Sequence, residues 1–103
     1  MSVAYIAGYV RTPFTFARKG AFASVRPDDL GAHAVRELLK RTGARAEDIE
    51  DVVWGCAFPE GEQGLNIGRV VGLLAGLPEI SAGTTINRWC GSAIQAIQIA
   101  AGY

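Results

Sequence analysis

The sequence predicts an α/β fold, layered around a mostly parallel sheet, and three observations predict it. Short runs of apolar and β-branched residues alternate with longer runs at helical spacing, so that a strand–helix order recurs along the chain. The opening strand run is nearly continuous in apolar residues, without clean alternation, which is the pattern of a strand covered on both faces. The last run, from Cys90 to Tyr103, contains no charged residue. A helix that is apolar all round is enclosed by protein or spans a bilayer, and this one falls well short of the roughly 20 residues a span needs. It is therefore expected to lie buried between two layers.

The first run, Val3 to Val10, is the first expected strand, with Tyr5 and Tyr9 toward its ends. Pro13 closes it, because proline lacks an N–H and holds Thr12 extended. Residues 14–27 read as a loop with a basic tint from Arg18, Lys19 and Arg26, interleaved with Phe14, Phe16 and Phe22. A solvated loop whose aromatics tuck onto the core accounts for it better than a phosphate-binding surface does. Asp28 or Asp29 can cap a helix that runs to about Thr42 and stops at Gly43. Leu30, Ala34, Val35, Leu38 and Leu39 share one half of its wheel, and His33, Arg36, Glu37 and Lys40 the other. His33 thus reads as a solvated side chain rather than a catalytic one.

Residues 46–51 form an acidic surface connector, and Val52 to Ala57 the second expected strand. Cys56 follows that strand into a Pro/Gly loop with no helix start at hand, which suits an inert buried thiol. Glu60 and Glu62 lie in this Gly-rich loop, where solvation explains them better than acid–base chemistry. Asn66 can cap a helix from Ile67 to Ala75, ended by Gly76-Leu77-Pro78. Its single charge, Arg69, implies that most of its circumference is covered. The third expected strand is Thr84 to Asn87, and it leads into Cys90.

Composition narrows the function. The 103 residues suffice for one small domain, which buries roughly 60–65% of its unfolded surface. Half of them are apolar and 19% charged, a core-rich globular balance. Ten basic and ten acidic residues cancel, so nothing favours nucleic acid or an anionic membrane as partner. Two cysteines in unlike contexts and a single histidine make neither a disulfide framework nor a metal site. The amino terminus lacks the basic lead and apolar stretch of a secretory signal. A reducing compartment, the cytoplasm by default or an organellar matrix, is expected and suits a free thiol.

Cys90 is the candidate catalytic residue. It stands where a strand turns through Gly91-Ser92 into a helix, so free backbone N–H groups and the positive end of the helix dipole converge on it. Both favour thiolate over thiol. Gly91, Ser92 and Ala93 add little bulk, so a substrate could approach the sulfur closely. Spacing alone leaves two readings open, a buried structural thiol and a nucleophile. The uncharged helix that follows favours the second and places the nucleophile at a buried helix start. That helix has no cover within these residues. The chain is thus expected to be a piece of a longer protein or to need a partner, and to aggregate or stay partly ordered alone.

Ile86-Asn87-Arg88-Trp89-Cys90-Gly91-Ser92-Ala93 resembles the nucleophile segment of the thiolases, with Ala93 where many members have glycine. Arg11-Thr12-Pro13-Phe14 resembles the loop after their first strand. Gly55 to Arg69, with Pro59-Glu60-Gly61-Glu62-Gln63-Gly64 at its centre, is similar to the degradative 3-ketoacyl-CoA branch. The resemblance implies a thiolase-like layered fold, of which residues 1–103 form part of the N-terminal domain. It implies acyl transfer between thioesters through an acyl-cysteine on Cys90, with coenzyme A as co-substrate and no permanently bound cofactor. A homodimer or homotetramer, acting on acyl-CoA substrates, is implied as well. The family's Gly-His-Pro histidine, Cys-x-Gly cysteine and Asn-Glu-Ala-Phe asparagine have no counterpart in this sequence. A related condensing enzyme (biosynthetic thiolase or ketoacyl synthase) and a non-catalytic lipid- or CoA-binding relative are the alternatives.

Overall fold

The computed structural model describes residues 2–103, and among them the order of elements is α1 (Pro27–Thr42), β1 (Asp51–Gly55), α2 (Ile67–Leu74), β2 (Ala82–Ile86) and α3 (Ser92–Ala101). One-turn 3-10 helices at Ala46–Asp48 and Gly61–Gln63 shape two of the connections. The strands β1 and β2 pair in parallel, with Val53 opposite Thr84 and Gly55 opposite Ile86. Alternation along β1 distributes the helices. Val52 and Trp54 point to the face where Gly31 of α1 and Gly68 and Gly72 of α2 approach them. Asp51, Val53 and Gly55 border the opposite face, along α3. On one side α2 covers the sheet, with α1 packed on α2 and reaching the Trp54 ring, and α3 covers the other, a layered α/β arrangement as the sequence predicts.

The core is small and sits under α2. Cys56, Ile67 and Val71 are buried together, with Val35 and Trp54 packed against them. Close backbone approach makes this possible: a Cβ on Gly68 would lie 2.4 Å from the Thr84 carbonyl oxygen of β2. Asn66 fastens the same junction. Its Oδ1 accepts the Arg69 N–H at 3.3 Å and the Thr85 hydroxyl at 2.7 Å, and its Nδ2 donates to the Gly83 carbonyl at 2.8 Å. The predicted cap of α2 thus also ties the helix to β2.

Several expectations are corrected. Residues 3–10 form no strand and lie almost wholly exposed, with Tyr5, Ile6 and Tyr9 all open to solvent. An unalternating apolar run is stable as a strand only when both faces are covered. Here the segment runs past α1 instead, where Gly8 approaches Leu38 and Thr42. Neither Asp28 nor Asp29 is the N-cap of α1. That position is Arg26, with Pro27 opening the helix. Asp28 is drawn instead into an ion pair with Arg26, at 3.0 Å, while its Oδ1 accepts the Asp29 N–H at 3.0 Å. The end at Gly43 is as predicted, in a left-handed conformation with its N–H on the Leu39 carbonyl. Phe14 and Phe16 do not tuck onto the core; each lies under a cation, Arg11 and Lys19 respectively. On α2, Ile67, Gly68, Val71 and Gly72 are buried while Leu73 and Leu74 stay partly open. On α3 only Ser92 and Ala96 are buried, and Ile94 and Ile97 face outward.

Candidate active site around Cys90

The chain leaves β2 at Ile86 and needs five residues to begin α3 at Ser92. It makes that change of direction with one backbone outlier. Trp89 has a φ of 49°, in the left-handed region, which costs a bulky L-residue roughly 1–2 kcal/mol. Local hydrogen bonds hold it there. The Asn87 Oδ1 accepts the Trp89 N–H at 3.0 Å. The Ser92 hydroxyl accepts the Arg88 N–H at 2.8 Å and donates to the Trp89 carbonyl at 2.6 Å. The Gly91 N–H donates to the Arg88 carbonyl, and the Arg88 guanidinium reaches the Gln95 side chain across the first turn of α3. Outside this turn, the Phe58 ring meets the Trp89 ring edge to face, with centroids 5.6 Å apart.

Cys90 is carried at the crest of this turn. It is a free thiol and exposed, not buried as the sequence suggests. The reason is the turn itself: Trp89 lifts the next residue outward, and Ser92 takes the buried position against the sheet. Cys90 thus stands two residues ahead of α3. The Gly91 and Ser92 N–H groups that follow it donate to the Arg88 and Trp89 carbonyls, and the next N–H groups of the first turn have no intrahelical partner. A helix start of this kind can offer donors to an oxyanion.

The other end of α3's seat is Gly55, the last residue of β1. A Cβ there would lie 2.4 Å from the Ala93 nitrogen and 2.5 Å from the Ala93 Cα. Backbone of α3 occupies that space, so only glycine lets the helix start rest on the strand end. Sequence reading missed both this role of Gly55 and the clamp made by Ser92. A glycine ending an otherwise apolar strand was the available signal for the first.

The remaining candidates separate from Cys90. Cys56 is buried at 6% exposure beside Ile67 and Val71, and its N–H donates to the Ile86 carbonyl at 2.9 Å. His33 is exposed on α1. Glu62 meets Arg26 at 3.4 Å, so the acidic loop is fastened to the start of α1. Arg26 is engaged by Asp28 and Glu62, which leaves it poorly placed for a phosphate. Among the described residues no group of three His, Cys, Asp or Glu side chains gathers to hold a metal. No helix among them is long and apolar enough to cross a membrane.

Comparison with known proteins agrees with this architecture. Residues 4–103 match the family described as thiolase, N-terminal domain. A 3-ketoacyl-CoA thiolase of Bacillus subtilis is 52% identical over 101 residues, which is 98% of this chain and 26% of that protein. Proteins of the same name from Acinetobacter baumannii and Psychrobacter cryohalolentis are 49% and 48% identical over 92 residues, 89% of this chain and 24% of each of them. The chain spans about a quarter of the length of the curated relatives it matches. With a layered parallel α/β unit, a strand-to-helix turn and a family match over nearly every residue, this chain belongs to the thiolase family.

Proposed function

We propose that Cys90 is the acyl-carrying nucleophile of a thioester acyl transfer. In the full-length protein it would cleave a 3-ketoacyl-CoA into acetyl-CoA and a shortened acyl-CoA, or run the reverse condensation. The observation that carries this reading is an exposed thiol at the crest of the β2–α3 turn in a thiolase N-terminal domain. The thiolate attacks the 3-keto carbon, and the negative charge moves to that oxygen. The Cys90 N–H supplies one donor for it. The bond between the α- and β-carbons then breaks, its electron pair leaves with the acetyl-CoA portion, and a proton completes acetyl-CoA. The acyl group stays on sulfur as a thioester. The thiol of a second coenzyme A, giving up its proton, takes the acyl group and restores the thiolate. Coenzyme A is thus a substrate rather than a resident cofactor.

Within these residues the work divides simply. Cys90 supplies the nucleophile, the turn holds it outward, and Gly55 seats the start of the helix that follows. The groups that move protons belong to motifs outside this sequence. A reducing compartment, the cytoplasm by default, keeps such an exposed thiol free. Among the described residues each strand has one unpaired edge, and the edge of β2 suits pairing with a second copy in a homodimer or homotetramer.

The test is thiolysis of a 3-ketoacyl-CoA by the full-length protein. Cys90→Ser is expected to lose at least about a thousandfold in kcat, because a hydroxyl is a far weaker nucleophile. Cys56→Ala is expected to keep most of its turnover. Full activity in Cys90→Ser contradicts the proposal.

A further inference from the structure

We infer that Ser92 is the positioning residue of the nucleophile, holding Cys90 in place through the backbone of the preceding turn; the inference rests on Cys90 being the acyl carrier. Ser92 is the first residue of α3, yet its hydroxyl does not cap that helix. A capping side chain accepts an N–H from the helix's own next residues. The Ser92 hydroxyl turns the other way. It accepts the Arg88 N–H at 2.8 Å and donates to the Trp89 carbonyl at 2.6 Å, bracketing the left-handed Trp89 from both sides. Only a group that donates and accepts at one atom can do both.

The other supports of this turn are weaker in kind. Among side chains, the Asn87 contact is exposed, and Phe58 and Trp89 are 60% and 65% exposed, so water competes with them, while the Gly91 and Ser92 N–H groups hold the Arg88 and Trp89 carbonyls through the backbone. Ser92 is 3% exposed. When the hydroxyl is removed, the Arg88 N–H loses its side-chain partner. Trp89 keeps only the Asn87 side chain and the Ser92 N–H against its strained conformation, so the turn loosens and Cys90, the next residue, loosens with it. The sulfur and the Cys90 N–H lose their shared aim at one carbonyl, although neither contacts Ser92 through the hydroxyl. Misplacement on that scale slows a reaction about tenfold to a hundredfold.

The experiment uses the full-length protein with acetyl-CoA and a 3-ketoacyl-CoA, comparing wild type, Ser92→Ala and Ser92→Thr. In Ser92→Ala the rate of Cys90 acylation and kcat are expected to fall about tenfold to a hundredfold with KM little changed. Hydrogen exchange should quicken at the Arg88 amide and not across α2. Ser92→Thr keeps the hydroxyl and should be faster than Ser92→Ala. A Ser92→Ala protein that acylates at the wild-type rate overturns the inference. So does one in which exchange quickens throughout the domain, or a Ser92→Thr protein no faster than Ser92→Ala. If wild type itself forms no acyl-Cys90, the functional proposal has failed rather than this one.

Discussion

Cys56 and Cys90 leave the same end of the same sheet and reach opposite surroundings. Cys56 follows β1 directly, and its N–H still bonds to the Ile86 carbonyl, so the chain continues as if the strand had not ended. That course carries its thiol under α2, against Ile67 and Val71. Cys90 comes after β2 by way of Asn87, Arg88 and the left-handed Trp89, and it emerges exposed. The contrast is one of backbone path. A thiol that extends the ladder is drawn into the core. A thiol placed beyond a strained turn is presented to solvent at a helix start.

Reactivity should reproduce this contrast with the largest effect. With iodoacetamide near neutral pH, Cys90 is expected to be modified about a hundredfold faster than Cys56, since a buried thiol reacts only through local opening. Equal rates, read by peptide mass mapping of the full-length protein, would break the comparison.

Gly55→Ala probes the seat of α3. Its Cβ would press on backbone of Ala93 and Ser92, which cannot rotate aside. Overpacking of this kind costs about 1–3 kcal/mol. The expected outcome is a lowered thermal midpoint together with slower Cys90 modification, as the helix start shifts off the strand end. An unchanged midpoint and rate would remove Gly55 from the account.

The smallest effect belongs to the Cys56 side, where Arg26 joins Asp28 of α1 to Glu62 of the loop after Cys56. Hydrogen bonding to the Arg26 guanidinium holds the Asp28 carboxyl below its usual range, against an opposing effect of desolvation. The folded protein therefore binds this proton less readily than the unfolded chain, whose carboxyl titrates near about 3.9. The stability it contributes is complete above that value and is lost as pH falls through the lower folded pKa. Asp28→Asn should make denaturant midpoints less sensitive to acid below about pH 4. Parallel curves for the two proteins would count against the pairing.

Much of this fold was legible in the sequence because local chemistry decided it. Gly43 ends α1 because it lacks a side chain and takes the left-handed conformation, Asn66 starts α2 through its side chain, and the strand-forming runs before Cys56 and Cys90 become parallel strands. Where tertiary partners decide, sequence reading failed. Residues 3–10 have strand composition, yet composition cannot supply a neighbouring edge to pair with. Asp28 has capping chemistry, but Arg26 claims it. Cys90 reads as buried because its helix is apolar, whereas a φ of 49° at Trp89 turns it outward, and no residue type announces that angle. The Ser92 clamp was hidden for the same reason, since a serine near a helix start reads first as a cap.

The central claim is that the exposed thiol, and not the buried one, carries the acyl group. Incubating the full-length protein with acetyl-CoA, quenching in acid and mapping the peptides tests it most directly. The account predicts one acetyl group per chain, as a thioester on Cys90, with Cys56 unmodified. An acetyl group on Cys56, or an unmodified Cys90 in an active protein, would contradict it.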